Sequence, residues 1–299
     1  MKRLEGGLRT QGVFKKSYRT QETHDTKTLS ELTDELDVNK EYPLVSVITV
    51  VYNGEKYLEH TIQSVLSQTY PNVEYIVVDG GSTDSSIALI KKHTDKIDYF
   101  LSENDKGIYH AMNKGIRLSK GDLIGIINCD DWYSEVAIDI VVKKYLKLKD
   151  RDNVIISGGL RCVDVEKKID FEVIRKKTDL DKYINKTMPI NHPATFVTAK
   201  TYQVVGMFDE KFRISGDYDF VCRAYHSALV KFYVCDDILT NMRLGGLSTE
   251  YRNIFLIAKE NYLVRKGYIS LIGNIYYTGR SLLINLTRII LDKFRKQER

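Results

Sequence analysis

Paired cysteines, glycine-rich phosphate loops, long apolar runs and a strong charge excess are all missing from this 299-residue sequence. Cys129, Cys162, Cys222 and Cys235 are scattered and form no C-x-x-C pair, so neither a zinc site nor a disulfide framework is indicated. The start, Met1-Lys-Arg-Leu-Glu-Gly-Gly7, has no apolar core of a signal peptide. Together these features predict a reducing, cytoplasmic setting. The net charge of +5 is mild, and no nucleic-acid-binding motif accompanies it, so no nucleic acid partner is expected. Neither a Walker loop nor G-x-G-x-x-G is present, which removes the usual phosphate cradles. The uncharged run from Gly267 to Gly279 falls short of the roughly 20 apolar residues that cross a bilayer.

What is present is an ordinary globular composition, 43% hydrophobic and 28% charged, arranged around one stretch. Leu123-Ile-Gly-Ile-Ile127 reads as a strand buried on both faces, as in a parallel sheet. It runs directly into Asn128, Asp130 and Asp131. Adjacent acids at a strand end repel unless something positive lies beside them, and hard divalent cations such as Mn²⁺ and Mg²⁺ take oxygen ligands of this kind. A plain helix cap for the segment starting near Glu135 is the alternative. The acid pair by itself leaves both readings open.

Strand and helix signals alternate around it. Leu44–Val51, Val73–Val78 and Asp98–Leu101 read as strands; helical spacing covers Leu58–Tyr70 and Ile108–Leu118. The predicted fold class is therefore α/β, a mostly parallel sheet flanked by helices. Each strand opens onto a polar loop: Tyr52 and Asn53, Asp79 to Asp84, Asp105 and Lys106, then Asp130 and Asp131. In a parallel sheet these loops share one edge and one crevice. Further on, Val154–Ser157, Leu160–Val165 and Ile169–Ile174 read as short strands, and Lys231–Asp236 as another. Asp217 stands at or near the start of a helix.

The order Val47-Ile-Thr-Val-Val-Tyr-Asn53, Val77-Val-Asp-Gly-Gly-Ser-Thr-Asp84, Asp105-Lys-Gly-Ile-Tyr109, Ala111-Met-Asn-Lys-Gly-Ile116 and Asn128-Cys-Asp-Asp131 resembles family 2 glycosyltransferases. Asn191-His-Pro-Ala-Thr-Phe196, Gly206-Met-Phe-Asp209 and Ser215-Gly-Asp-Tyr-Asp219 fit the same pattern, so the likeness spans about residues 43–248. It implies the GT-A fold and an inverting, metal-dependent hexosyl transfer from a nucleotide-diphosphate sugar. By position it marks Asp131, with Asp130, as ligands of Mn²⁺ or Mg²⁺. Asp217 falls on the catalytic base. The donor-binding set becomes Tyr52, Asn53, Asp79, Gly81, Asp105, Lys106, Asn113 and Asp130. His192 and Trp132 are candidates for the acceptor side, with a structural role for His192 and core packing for Trp132 as the alternatives.

Two positions depart from the pattern. Gly80 replaces a carboxylate that many relatives set against the base, and His110 stands where close relatives are often acidic.

The resulting division is a polar extension over residues 1–42, a catalytic domain over 43–248 and a helical, basic tail over 249–299. The nucleotide-sugar half of the catalytic domain runs to about residue 131, and the acceptor half follows it. A helix over Leu29–Leu36 is compatible with the extension. The tail mixes Ile, Leu and Tyr with Arg280 and Arg288, which suits an amphipathic helix lying in a membrane surface. A peripheral position on the cytoplasmic face of the inner membrane, near a glycan or lipid-linked acceptor of surface-polysaccharide assembly, follows as the expectation. A catalytically silent sugar-nucleotide-binding or assembly subunit is the alternative. A nucleotidyltransferase fits less well, because Tyr52-Asn53-Gly54 is not the Lys/Arg-containing glycine loop it would carry.

Overall fold

The computed structural model describes residues 3–17, 41–164, 166, 168–246 and 251–297. Ten strands of these residues form one sheet. Strands β1 (Leu4–Gly6), β2 (Val45–Val51), β3 (Val73–Asp79), β4 (Tyr99–Ser102) and β5 (Leu123–Asn128) are interleaved with helices α1 (Leu58–Leu66), α2 (Ser86–Lys92) and α3 (Ile108–Leu118). Next come β6 (Trp132–Tyr133), α4 (Ala137–Leu146), β7 (Val154–Asp164) and β8 (Ile169–Val173). They are followed by α5 (Lys177–Tyr183), β9 (Thr195–Thr198), α6 (Ala199–Val205), α7 (Gly216–His226) and β10 (Lys231–Arg243). Helices α8 (Ile254–Arg265) and α9 (Leu271–Gln297) complete the described chain.

The sheet order is β1-β4-β3-β2-β5-β9-β7-β10-β6, with β8 beside β7. β4, β3, β2 and β5 are mutually parallel, as are β7 and β10. The chain builds outward from β2 to β4, then returns to place β5 on β2's other side. That reversal makes the carboxyl ends of β2 and β5 the switch point, where open α/β sheets bind ligands. Every residue of β2 and β3 is buried, because helices cover both faces. One apolar cluster gathers Val45, Val47, Ile62, Val77 and Ile127; the opposite face gathers Ile48, Ile76, Met112, Ile126 and Tyr218.

Three expectations change. Val154–Ser157 and Leu160–Val165 are one continuous strand, carried through Gly158 and Gly159. Lys231–Asp236 continues to Arg243, past register shifts between Val234 and Thr240. The polar extension also contributes a strand, since β1 adds antiparallel to β4 and the following turn packs on the sheet. The helix considered over Leu29–Leu36 lies outside the described residues.

The N-terminal segment is anchored by charge rather than apolar surface. Arg9 pairs with Glu74 on β3, both side chains nearly buried, and also donates to the Leu118 carbonyl at 2.7 Å. The other Glu74 oxygen accepts from Ser46 Oγ and, at 2.9 Å, from the Lys120 amide. Lys15 adds a bond to Asp98 at 2.9 Å. Removing one member of a buried pair strands the other, at about 3–5 kcal/mol. Arg9→Ala should therefore lower the melting temperature by several degrees, whereas Arg3→Ala, in an exposed pair with Glu5, should leave it within about a degree. Differential scanning calorimetry of the two variants checks this.

Candidate functional site

The loops at the carboxyl edge are tied to one another before any ligand is considered. After β2, Asn53 takes a left-handed conformation with φ 51°. Its amide donates to Ser82 Oγ at 2.8 Å, and its side-chain oxygen accepts the Thr83 amide at 2.9 Å. After β3, Asp79 is fully buried: its carboxylate accepts the Gly81 and Ser82 amides and the Ser102 hydroxyl. Asn53, Asp79 and Gly81 thus shape the turn. Asn113 is likewise 2% exposed, with its amide on the backbone of Phe208 and on Glu210. Its polar atoms fasten α3 to the 208 loop. Tyr52 is the opposite case, its ring 66% exposed at the edge.

Gly80 lies between Val51 and Asp105 in a chain of backbone hydrogen bonds. A Cβ built there would meet Asp105 Oδ2 at 2.8 Å. Asp105 Oδ2 thus lies against the place where a side chain at position 80 would begin. Asp105 is held through its Oδ1 by Lys114 at 2.5 Å, and Lys114 is shared with Glu103. His110 Nδ1, 3.2 Å from the same Oδ1, accepts the Lys106 amide. The Lys106 side chain is exposed on the rim.

At the end of β5 the acid pair sits on a loop pinned by buried Thr61 of α1, whose hydroxyl reaches the Cys129 and Asp131 carbonyls at 2.9 and 2.7 Å. Asp131 is 2% exposed. Its Oδ1 accepts the Arg243 amide at 3.0 Å; Oδ2 has a long contact to Asn128 Nδ2 at 3.4 Å. Burial, reinforced by the Asp130 charge, pushes the Asp131 carboxyl up to about 8, and burial raises Asp130 as well. Asn128 Oδ1, beside them, is buried without a hydrogen-bond partner. Two carboxylates short of positive charge and an orphaned amide oxygen form an oxygen-only donor set, which fits a hard divalent cation. Among the described residues no group of three His, Cys, Asp or Glu converges, so further ligands would come from substrate oxygens or water. Trp132 follows directly, its ring stacked on His60 at 4.7 Å.

Asp217 occupies the first turn of α7, half-buried. Its Oδ1 accepts the Tyr218 amide at 2.8 Å and lies 3.2 Å from the Tyr109 hydroxyl, which also reaches the Ile214 carbonyl. Gly216 permits this, since a Cβ there would press into the Tyr109 ring at 2.7 Å. Tyr109 lies in the first turn of α3, just after Asp105 and Lys106, so it links that loop to Asp217. His192, on the same side, packs edge-on against Phe208. Burial lowers its imidazole, and the charge of nearby Asp217 partly offsets that.

Two residues outside the predicted set matter here. Glu260 of α8 is 4% exposed and accepts the amides of Arg213, Ile214 and Ser215 at 2.8–2.9 Å. It holds the segment entering α7, so the division at residue 248 does not separate α8 from the site. Arg243, at the end of β10, lies beside the acid pair. No periodicity signals either one, because both act through backbone contacts far away in sequence.

The model of Glycosyl transferase family 2 matches residues 46–202. This chain belongs to that family. An uncharacterized glycosyltransferase of Rickettsia typhi is 32% identical over 244 residues, 75% of this chain and 76% of the relative. Chondroitin synthase of Escherichia coli is 27% identical, covering 82% of this chain but 34% of its own length. Among solved structures, TarS of S. aureus superposes with a TM-score of 0.53 at 17% identity, over 81% of this chain and 71% of that one. A mannosyltransferase from Pyrobaculum calidifontis, in complex with GDP-Man and Mn²⁺, gives 0.58 at 16% identity, over 83% and 75%. These likenesses establish the GT-A fold. The family match ends before Asp217, Arg243 and Glu260, which the structure brings to the site.

Glu260→Gln keeps the shape but removes the charge that gathers three amides. A buried bond to a charged acceptor is worth about 1.5–3 kcal/mol, so the melting temperature should fall by several degrees. Lys259, its neighbour on α8, is exposed; Lys259→Gln is the control, and thermal unfolding should find it unchanged.

Proposed function

We propose that this family 2 glycosyltransferase is an inverting, metal-assisted hexosyltransferase. It moves a sugar from a nucleotide diphosphate to a hydroxyl of a glycan or lipid-linked acceptor in bacterial surface-polysaccharide assembly. The observation that carries the proposal is the under-compensated pair Asp130 and Asp131 at the switch point of the sheet, together with Asp217 on the Tyr109 side. The mannosyltransferase neighbour carries GDP-Man and Mn²⁺, and TarS has been solved with UDP-GlcNAc. Both support a nucleotide-sugar donor here.

Asp130 and Asp131 would hold the cation, whose chemistry is to offset charge on the departing diphosphate. Tyr52 offers its exposed ring to the base, and Asp105 supplies the carboxylate displaced from position 80. Asp217 takes the acceptor's proton as the acceptor oxygen bonds to the anomeric carbon from the face opposite the diphosphate. The bond from that carbon to the β-phosphate oxygen breaks, and its electron pair leaves with the diphosphate. Configuration inverts in one displacement, without an enzyme nucleophile. His192 and Trp132 border the acceptor.

No helix among the described residues is long and apolar enough to cross a membrane. α9 instead exposes Leu271, Ile272, Ile275, Tyr276 and Leu283, a surface suited to peripheral contact with the cytoplasmic leaflet. Its first turns are fixed by Arg265, which is 1% exposed and donates to Asn274 and Thr278.

A screen of nucleotide sugars with Mn²⁺ for thermal stabilisation identifies the donor. With that donor, Asp217→Asn should reduce turnover by roughly 10²-fold or more while donor affinity and melting temperature hold. Near-normal turnover would place the base elsewhere. Asp219→Asn should act on stability instead, since Asp219 pairs with Arg223 at 2.8 Å.

For the tail, truncation after Arg280 keeps the Arg265 partners and should abolish flotation with anionic liposomes. Equal flotation of full-length and truncated protein would defeat the membrane assignment.

A further inference from the structure

Helix α8 carries two buried charges, and each is spent on a different segment of the acceptor side. Glu260 accepts the amides of Arg213, Ile214 and Ser215, which lead into α7 and Asp217. Arg265 has no carboxylate partner among the described residues. Each of its three nitrogens donates to a neutral oxygen instead: Nη1 to the Lys186 carbonyl at 2.7 Å, Nε to Asn274 Oδ1 at 3.0 Å and Nη2 to Thr278 Oγ1 at 2.6 Å. Lys186 lies in the turn after α5, from which the chain runs through Met188 and Ile190 to His192. The same turn is held by α7, where the Tyr218 hydroxyl donates to the Ile184 carbonyl at 2.7 Å. Asn274 is buried on the inner side of α9, whereas Ile272, Ile275 and Tyr276, on the same turns, are more than half exposed. A buried guanidinium costs free energy unless its donors are used. An apolar side chain would fill the volume, but only a planar fork reaches three acceptors at once.

We infer that Arg265 is a positioning residue, through which the seating of α9 on a lipid surface sets the order of the acceptor side. The first turns of α9 present their outer face to lipid and their inner face to Arg265. Lipid contact that immobilises those turns fixes two of the three groups that the guanidinium holds, and through it the third, the Lys186 carbonyl. The segment from 184 to 192 then settles against α7, which carries Asp217, while Glu260 holds the entry to α7 from the same helix as Arg265. Away from lipid the outer face of α9 has no support, and its fluctuations reach the guanidinium directly. Such coupling needs no new contact at the site, because a segment already ordered at one end costs less entropy to order at the other. It suits an enzyme with a lipid-linked acceptor: the acceptor side is most ordered where that acceptor is found.

This inference rests on the membrane reading of α9 above, and hydrogen–deuterium exchange of the full-length protein separates the two. Wild type, Thr278→Val and Arg265→Lys are compared with and without vesicles of phosphatidylglycerol and phosphatidylcholine. In wild type the vesicles should slow exchange in α9, and also slow it roughly 5- to 30-fold in segments 184–192 and 213–218, the range set by one charge-assisted bond. Thr278→Val keeps the shape and the outer face of α9 but removes an acceptor of Arg265. Vesicles should still slow its α9, while their effect on the two acceptor-side segments is lost. Arg265→Lys keeps the charge with one nitrogen in place of three and should lose that effect too, which guards against a local disturbance by valine. Slowing confined to α9 in wild type overturns the relay and leaves the membrane reading standing. An undiminished vesicle effect in both variants overturns the role of Arg265, even if their exchange is faster throughout, since that is what merely structural packing produces. A wild type whose exchange the vesicles leave unchanged overturns the membrane reading and this inference with it.

Discussion

The organising constraint is a buried acid pair that the protein leaves without a counter-charge. Asp131 is buried beside Asp130, receives one backbone amide, and has no cation within ion-pairing distance among the described residues. Such a site opposes folding, because desolvating a carboxylate without a counter-charge costs free energy. The surroundings show how it is held. Thr61 ties the loop backbone to α1, β6 pairs with β10, and the Arg243 amide closes Asp131 from the far side. The sheet thus supplies the rigidity that keeps the two acids together.

The same division of labour runs along the whole edge. Residues with fully engaged side chains, such as Asn53, Asp79 and Asn113, build the walls. Other residues keep a group unengaged, as the exposed Tyr52 ring and Asp105 Oδ2 do. Buried polar atoms are nearly always satisfied, so a hydrogen-bond inventory separates wall from contact where residue type does not. Asp79 and Asp105 are both acids at strand ends; only the second has an oxygen to spare.

Much of this was legible in the sequence, for a physical reason. Buried parallel strands are short β-branched runs, and the loops that end them are polar, so β2, β3, β5 and the acid pair stand out. α3 is delimited correctly at Ile108–Leu118 because its apolar face repeats at helical spacing. What stayed hidden depends on partners distant along the chain. β1 has three residues and no period; it exists because β4 offers an edge and Glu74 a counter-charge for Arg9. The second half of β10 is hidden by Asp236 and Asp237 at its register shift, and with it went Arg243. Glu260 looks like any surface acid on a helix until its three amides are found.

Gly80 shows how sequence and structure correct each other. Read along the chain, it is a missing carboxylate, and it throws the donor's identity into doubt. Read in space, it is the gap that Asp105 fills, with Oδ2 where a side chain at position 80 would begin. Asp105 reaches that place only because Lys114, farther along α3 than Tyr109, anchors its other oxygen. A side chain at position 80 would press on Asp105 Oδ2, so the glycine and the braced carboxylate depend on each other at this edge.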